Sequence, residues 1–396
     1  MPYIVTKLEP RKGEISILDF LDDKVTLDML KPPTKFQKTA TRTDFYKEIR
    51  PEKLAAINIP AYIKTLETWY EQYKEFDLDD MNSLYTTFYV PKQKSTPEHP
   101  KWRKITAPQD DFSVALSALK DIFERFMHGC YYHTSAFAYV KGRCCRDAGE
   151  KHVMNNWFLK LDFSDFFGST TLDFVMRMFA NVFPFSEIVK SLDGVTILQK
   201  CLKMCFLDGG LPQGTPTSPI ITNIMMIPFD HTLTKGLRDK RVEKDGNQYG
   251  YTYTRYADDL AISCKVDFNV KEMIKNVEAV LDRYQAPFKL GHDKTQYGSN
   301  AGSNWLLGFM LTQDHKITVG YKRKKRLKAM LNNYLMDRAH GKPWDLAEVQ
   351  HLHGEMEYCT HNDESAVYII KKYSEKYGVD IIKTIRADLK SHKSIQ

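Results

Sequence analysis

The chain has 396 residues, of which 42% are hydrophobic and 12% are aromatic. This composition excludes a disordered chain, and the length predicts two or three domains or subdomains. The net charge of +7 is compatible with a polyanionic partner, although a charge of this size does not identify one.

The cysteines and the apolar runs indicate a cellular compartment. The seven cysteines are an odd number without a repeated CxxC pair, so neither a disulfide framework nor a zinc ribbon is expected. The first residues lack the apolar run of a signal peptide, and no stretch approaches about 18 uncharged apolar residues. We therefore expect a protein of the reducing cytoplasm with no membrane partner.

Two helical patterns occupy the first third of the chain. Apolar residues recur at helical spacing from Arg50 to Lys74, which predicts an N-terminal helical extension over residues 1–80. A second and longer helical pattern covers Asp111–His128. The sequence does not indicate a function for the extension.

A basic hairpin is predicted between these helices. Tyr85–Lys92 and Lys101–Pro108 both have the composition of strands, and a segment rich in proline and lysine connects them. The outward cations of such a hairpin are either solvated or close on phosphates. Lys92 and Arg103 are the candidates for phosphate binding.

A carboxylate ends the next predicted strand. Phe158–Phe167 reads as a buried strand that runs into acidic and aromatic residues. A helix is predicted over Leu172–Phe183, and it starts too late for Asp162 to be its cap. Thr170 or Thr171 fits the cap better. This favours a metal-ligand role for Asp162.

A loop of conformationally special residues follows. Gly209–Pro219 is rich in glycine, proline and small hydroxyl residues, and an apolar helix is predicted over Ile220–Phe229. The segment is either a plain surface loop or a loop that approaches a flat or anionic ligand closely. Residues 231–250 are polar and are predicted to form a connecting loop.

Two adjacent carboxylates lie in the middle of Tyr251–Ser263. Runs rich in tyrosine, threonine and apolar residues flank them, which predicts a β-hairpin with Asp258 and Asp259 at its tip. Such a pair is either solvated or neutralised by a divalent cation, since hard cations prefer carboxylate oxygens.

The C-terminal third contains a short predicted strand and a cationic helix. Trp305–Leu311 is a strand-like run with a glycine that permits close approach to its backbone. Six of the eight residues of Tyr321–Lys328 are cationic, and the segment continues as a helix through Leu335. The cations form either a solvated helix face or a contact surface for a nucleic-acid backbone, and we favour the second.

The informative segments form an ordered set of six motifs. In chain order they are Lys101–Lys104, Leu161–Phe167, Leu211–Pro219, Tyr256–Asp259, Lys294–Thr295 and Leu307–Phe309. Together they resemble the fingers motif, the first palm motif, the QGxxxSP motif, the YxDD motif, the following lysine motif and the primer grip of a reverse transcriptase. The resemblance covers roughly residues 85–360, and the ordered set is far more specific than YxDD alone.

The resemblance implies a fold and a division of the chain. Reverse transcriptases have an α+β right-hand polymerase fold with fingers, a palm of antiparallel sheet plus helices, and a helical thumb. After the extension, the fingers with part of the palm would span residues 81–160. The palm with a fingers insertion would span residues 161–318, and the thumb would span residues 319–396.

The resemblance also implies a metal centre. Asp162 and Asp258 would hold two Mg²⁺ ions roughly 3.5–4 Å apart, with Mn²⁺ as a substitute. The carbonyl of Phe163 would complete one site, and Asp259 would support the pair. Lys294 would protonate the pyrophosphate leaving group.

Further residues are assigned by the resemblance to the substrates. Those assigned to the incoming nucleotide are Lys92, Arg103, Asp165, Phe166, Phe167 and Gln213. Those assigned to the template and primer are Tyr256, Leu307, Gly308, Lys322, Arg323, Lys324, Lys325, Arg326 and Lys328. The ring of Phe167 would clash with a 2′-hydroxyl and so favour deoxynucleotides.

The amino-acid sequence of Leu211–Pro219 resembles the corresponding motif of retron and related bacterial defence reverse transcriptases. Two segments depart from the retron pattern. The NAxxH motif appears only as Asp147–His152, with different spacing, and the VTG motif is replaced by Leu306–Gly308. A retron-like enzyme would use an RNA template and a dedicated non-coding RNA, a DNA or RNA primer, deoxynucleoside triphosphates and a defence effector protein. A different, abortive-infection-type defence enzyme is the nearest alternative.

Other functions remain open at this point. A group II intron-like enzyme and a template-independent or protein-primed polymerase share the palm motifs. An RNA-dependent RNA polymerase shares the palm carboxylates. A non-catalytic RNA-binding module belongs to another class, and it gives no reason for three carboxylates in these settings.

Overall fold

The computed structural model describes residues 58–91, 100, 102–127, 132–302 and 305–393. Residues 1–57 of the predicted extension and Lys92 lie outside the described residues.

Helices and strands alternate irregularly along the first part of the chain. They are α1 (Ile59–Tyr73), β1 (Tyr85–Pro91), β2 (Trp102–Pro108), α2 (Asp110–Met127), α3 (Cys145–His152), β3 (Trp157–Ser164), α4 (Phe166–Ser169), α5 (Leu172–Phe179), α6 (Phe185–Ile188), α7 (Leu192–Lys203), α8 (Thr217–Met225) and α9 (Ile227–Asp239).

Short strands dominate the middle of the chain and helices its end. They are β4 (Val242–Lys244), β5 (Asn247–Tyr249), β6 (Tyr251–Tyr256), β7 (Asp259–Cys264), α10 (Val270–Arg283), β8 (Lys289–Leu290), β9 (Gln296–Ser299), β10 (Trp305–Leu306), β11 (Phe309–Leu311), β12 (Ile317–Thr318), α11 (Tyr321–Ala339), α12 (Leu346–Asn362), α13 (Glu364–Tyr377) and α14 (Ile381–Lys393).

The chain folds into two compact units. The first consists of Met1–Cys144 and Leu159–Tyr297, and the second consists of Cys145–Phe158 and Gly298–Gln396. The division into extension, fingers, palm and thumb at residues 80, 160 and 318 stays a prediction, because compactness does not assign these roles.

A five-stranded sheet forms the centre of the first unit. Its strand order is β6-β7-β3-β8, and β9 also pairs with β3. Strands β6 and β7 are antiparallel, as predicted, and Tyr256 pairs with Asp259 at the end of the ladder. Strands β3 and β8 are also antiparallel, with Phe163 opposite Leu290. The carboxylate-bearing ends of β3 and of the β6–β7 hairpin therefore belong to one sheet.

An aromatic cluster supports this sheet. Phe163 and Phe166 stack with ring centroids 5.4 Å apart, and Phe288 lies 4.9 Å from the first ring and 4.8 Å from the second. Phe229 packs edge-on against Phe163 at 5.9 Å. Large buried rings in edge-to-face contact stabilise a core beyond the burial of their surface, so this cluster gives β3 a rigid base.

The remaining elements of the first unit confirm most of the sequence predictions. Strands β1 and β2 form the expected antiparallel pair, and α2 covers the second helical pattern. The hydroxyl of Thr171 accepts from the Phe174 amide and caps α5, which ends at Phe179 rather than at Phe183.

The predicted loop over residues 231–250 is wrong. Helix α9 extends to Asp239, with Leu233 and Leu237 buried on its inner face. Strands β4 and β5 then form a hairpin whose turn is Asp245–Gly246, and both turn residues have positive φ. An Asp-Gly pair suits a two-residue hairpin turn because it adopts these angles at low cost. Local turn chemistry therefore outweighed the polar composition.

The second unit is a helical bundle with a small sheet. Helices α11 to α14 enclose a buried apolar cluster that includes Leu331, Leu352 and Ile385. Strands β10, β11 and β12 form an antiparallel sheet, so the predicted strand over Trp305–Leu311 is in fact two strands around a turn. Among the described residues, none of the helices combines the length and the apolar character that crossing a membrane requires.

Candidate active site

The turn between β6 and β7 presents the two adjacent carboxylates. Ala257 and Asp258 form the turn, and Ala257 has a positive φ of 57°. Asp259 is the first residue of β7 and not a turn residue, which corrects the prediction that both carboxylates occupy the tip. Their side chains leave the backbone at different points of the hairpin.

The backbone brings the third carboxylate beside this turn. The Phe163 amide donates to the Asp258 carbonyl oxygen at 3.2 Å, so Asp162 lies one residue from a direct bond to the turn. The Gly291 amide donates to the Asp162 carbonyl oxygen at 2.8 Å. Strand pairing on both sides therefore holds Asp162, Asp258 and the start of the Lys294 segment together.

The three carboxylates influence one another electrostatically. Burial raises the pKa of Asp258, and the charge of Asp162 raises it further, whereas Lys294 and Arg103 lower it. Asp259 is an exposed residue, yet burial of its carboxyl group and the charges of Asp258 and Asp162 raise its pKa to about 6. The site therefore holds more negative charge than its own cations neutralise.

Lys294 supplies part of the neutralising charge. Its ammonium group donates to the Asp162 carboxylate, and this bond is the largest cause that raises the pKa of Lys294. The residue ends a short 3₁₀ turn over His292–Lys294 that follows β8. The structure thus places the predicted lysine at the carboxylates.

The glycine-rich loop connects the sheet to the basic hairpin. The Thr106 amide of β2 donates to the Gln213 carbonyl oxygen at 2.7 Å. Gly214 has a φ of +117°, and a Cβ there would meet the Ile105 side chain at 2.9 Å. Only glycine suits this position. Arg103, which precedes this contact on β2, is exposed and close enough to lower the pKa of Asp258.

The same loop also borders the segment after β3. The Leu211 amide donates to the Phe167 carbonyl oxygen at 2.9 Å. A Cβ on Gly210 would lie 2.1 Å from the Gly168 carbonyl oxygen, so the two segments touch backbone to backbone. The loop that carries Gln213 is therefore packed against the segment that carries Phe167, and the nucleotide contacts of both residues stay predictions.

Two of the predicted nucleotide contacts are restricted by packing. Phe166 is 2% exposed within the aromatic cluster, so its ring belongs to the core and does not contact a nucleotide. Asp165 is exposed and has a positive φ of 45°, and its carboxylate lies over the Cα of Gly168. Phe167 is half-buried and stands edge-on to Phe166.

Hydroxyl side chains stabilise the glycine-rich loop through internal hydrogen bonds. The Ser218 hydroxyl donates to the Pro212 carbonyl oxygen at 2.8 Å and lies 2.7 Å from the Thr215 hydroxyl. Thr217 and Ser218 are buried in the first turn of α8. These side chains brace the loop from inside, so its approach to a ligand depends on Gln213 and the glycines.

A buried polar network lies behind the turn, and sequence reasoning missed it. Arg255 and Asp230 are both 0% exposed and form an ion pair at 2.8 Å. The Tyr253 hydroxyl donates to the same carboxylate at 2.7 Å, and the Arg255 guanidinium also donates to the Asn223 side chain and to the Ala257 carbonyl oxygen. Arg255 therefore holds the residue that precedes Asp258. A single cation in a strand otherwise made of tyrosines and threonines was the available signal.

The second unit contains most of the predicted nucleic-acid contacts. Leu307 and Gly308 form the turn between β10 and β11, and both have positive φ. Arg323 makes a two-pronged contact with Glu355, and Lys324 pairs with Asp363 at 3.2 Å. Those two cations are thus partly neutralised within the unit. The others keep exposed side chains: Lys322, Lys325, Arg326 and Lys328. Tyr256 belongs to β6 of the first unit and is half-buried.

The donor set at the turn fits a hard divalent cation. Asp162 and Asp258 provide carboxylate oxygens, and the Lys294 ammonium group on Asp162 shows that a cation is accommodated there. The described residues contain no cluster of three or more His, Cys, Asp or Glu side chains at ligand spacing. Mg²⁺ is typically bound by one or two carboxylates together with substrate phosphates, so the pair is a suitable partial site.

The five-stranded sheet, the turn at Asp258, the exposed Arg103 and the close-packed glycine loop thus lie within the first compact unit. A family model described as reverse transcriptase (RNA-dependent DNA polymerase) matches residues 90–321, which is more than half of the chain. The chain belongs to the reverse transcriptase family. Its fold is accordingly the α+β right-hand polymerase fold, and its activity is that of an RNA-directed DNA polymerase.

Known relatives narrow the assignment. The retron Ec83 reverse transcriptase of Escherichia coli is 27% identical over 277 residues, which cover 67% of this chain and 81% of that protein. The retron Ec73 enzyme of the same organism is 27% identical over 286 residues, covering 67% and 87%. The retron Ec86 enzyme is 23% identical over 292 residues, covering 72% and 81%. The chain is therefore a retron-like bacterial reverse transcriptase.

Proposed function

We propose that the enzyme copies a dedicated non-coding RNA into DNA by two-metal phosphoryl transfer centred on Asp162 and Asp258. The observation that carries this proposal is the backbone bond between Phe163 and Asp258, which joins the end of β3, where Asp162 lies, to the turn that carries Asp258. Mg²⁺ ions held there would lower the pKa of the primer hydroxyl and neutralise the triphosphate. The retron relatives support an RNA of the retron type as template.

The protein groups around the carboxylates orient the substrates. Arg103, on the exposed side of β2, would bind the triphosphate, since guanidinium pairs well with phosphate oxygens. Phe167 and Gln213 would flank the sugar. Lys294 would give a proton to pyrophosphate only after it releases Asp162, to which it donates a hydrogen bond here. Phosphoryl transfer depends mainly on such positioning and charge stabilisation.

Primer extension tests this proposal directly. Purified protein is given an RNA template, a primer, Mg²⁺ and either deoxynucleotides or ribonucleotides. We expect DNA product with wild type, no product after chelation, and no product with Asp258→Ala although RNA binding persists. The variant Phe167→Ala should incorporate ribonucleotides more readily than wild type, because the ring no longer opposes the 2′-hydroxyl.

The outcomes separate the alternatives. Equal use of ribonucleotides by wild type would favour an RNA polymerase, and product from Asp258→Ala would refute the metal assignment. Sequencing of the RNA that copurifies from native cells tests the template. Recovery of one structured RNA supports a dedicated partner, whereas a random sample of cellular RNA contradicts it.

A further inference from the structure

One exposed aromatic side chain stands in an otherwise buried segment near the active site. Ser135, Ala136, Phe137, Ala138 and Val140 are buried, whereas Tyr139 is 55% exposed.

The backbone of Tyr139 is unusual for such a side chain. It has a positive φ of 57°. Bulky residues rarely adopt this conformation, and glycine adopts it freely. Backbone strain of this kind persists where the surroundings enforce it, and it concentrates at functional sites. Because the side chain stays largely exposed, burial of apolar surface does not account for a tyrosine here.

The segment around Tyr139 is held by the network that supports the catalytic turn. The Phe137 amide donates to the Arg255 carbonyl oxygen at 2.9 Å, and the Arg255 amide donates to the Ser135 carbonyl oxygen at 2.7 Å. The Asn223 side chain donates to the Ala138 carbonyl oxygen at 2.6 Å and accepts from the Arg255 guanidinium. The position of Tyr139 is therefore fixed relative to Asp258.

Charged residues of the active site change the pKa of the Tyr139 hydroxyl. Its pKa is raised by burial of the hydroxyl group and by the negative charge of Asp258, whereas the positive charge of Arg103 lowers it. Asp258 marks the reacting end of the candidate site, and Arg103 marks the triphosphate end. Tyr139 thus lies within electrostatic range of both.

We propose that Tyr139 is a nucleotide-positioning residue whose ring contacts the base pair being formed at the active site. Aromatic rings stack on bases regardless of sequence, which suits a residue that must accept all four pairs. A fixed and strained backbone would hold the ring ready before the nucleotide binds. This inference rests on the proposed polymerase function, and Tyr139 lies outside the six motifs that carry the resemblance.

The test is single-nucleotide incorporation by three variants of the full chain. Tyr139→Ala and Tyr139→Gly should both lower kcat/KM for the deoxynucleotide by about 5- to 150-fold, mainly through KM, since base stacking on an aromatic ring has that worth. Tyr139→Phe should retain the wild-type value. The Tm of Tyr139→Gly should equal or exceed that of wild type, because glycine relieves the positive φ. Tyr368→Ala is the matched control, since Tyr368 is 68% exposed on α13 of the second unit.

Each other outcome overturns the inference. Unchanged kcat/KM in the alanine and glycine variants would show that the ring makes no contact. Equal losses in the phenylalanine and alanine variants would assign the effect to the hydroxyl. If kcat/KM and Tm both fell in Tyr139→Ala while Tyr139→Gly kept the wild-type kcat/KM, the role of Tyr139 would be structural. Absence of DNA synthesis by wild type would instead refute the proposed function itself.

Discussion

The stem and the tip of the β6–β7 hairpin differ in whether their charges are neutralised by neighbouring groups. Arg255, in the stem, is fully buried and surrounded by Asp230, Asn223 and the Ala257 carbonyl oxygen. Asp258, three residues later, has the like charge of Asp162 nearby and a raised pKa. Satisfied polar groups stabilise a fold, whereas crowded like charges destabilise it. The stem therefore supplies the rigidity that keeps an unfavourable tip in place.

The largest expected effect separates activity from stability at the tip. Asp258→Asn should lower DNA synthesis by at least about 10³-fold, because charge stabilisation dominates phosphoryl transfer. Its Tm without divalent cations should equal or exceed that of wild type, since one of the crowded charges is removed. Primer extension and thermal unfolding measure the two effects. Asp239→Asn on α9 is the control and should change neither. A large fall in Tm with Asp258→Asn would contradict the claim that the crowded charges at the tip destabilise the fold.

The stem should respond in the opposite way. Arg255→Met should lower the free energy of unfolding by about 3–5 kcal/mol, because it leaves the Asp230 carboxylate buried without its partner. Urea unfolding measures this change.

The double variant sharpens this prediction. Arg255→Met combined with Asp230→Asn should recover part of the lost stability, since no uncompensated charge remains and the amide can still accept from Tyr253. If the double variant were as unstable as the single one, the buried ion pair would not be the source of the effect.

A pH dependence follows from the raised pKa of Asp259. The folded carboxyl has a pKa of about 6, whereas the unfolded one is near 3.9. The folded state therefore binds more protons between about pH 4 and pH 6, and stability falls as pH rises through that window. The difference in unfolding free energy between wild type and Asp259→Asn should decline from pH 4 to pH 6 without divalent cations. A difference that grows with pH would show that Asp259 is instead paired with a cation.

The smallest effect concerns the cations of α11. Lys325 is exposed, whereas Arg323 is held by Glu355. Lys325→Ala should reduce the salt dependence of RNA affinity by about one unit of slope and leave Tm unchanged. Arg323→Ala should lower Tm because it strands Glu355, which is buried. RNA affinity measured from 50 to 200 mM salt distinguishes the two variants. Equal slopes for Lys325→Ala and Arg323→Ala would refute the claim that only Lys325 is available to RNA phosphates.

Several elements could be predicted from local patterns. Runs rich in tyrosine, threonine and apolar residues around the adjacent carboxylates were sufficient for the β6–β7 hairpin. The cap of α5 was narrowed to Thr170 or Thr171, and Thr171 is the residue that caps it. The β4–β5 hairpin could have been found from its Asp-Gly turn, which the polar composition obscured. Phe166 could not be classified locally, because an aromatic beside a catalytic motif faces a substrate or the core according to how the chain packs.

The sequence by itself determined the family and most strands and helices, since motif order and short-range periodicity can be recognised without the folded arrangement. Tertiary structure alone decided that Asp230, 25 residues before Arg255, neutralises it, and that Glu355 and Asp363 engage two of the α11 cations. It also decided that the segment before Tyr139 bonds to Arg255 and Asn223 behind the catalytic turn. These contacts join residues far apart in the chain, and burial and charge pairing across such distances depend on the folded arrangement as a whole.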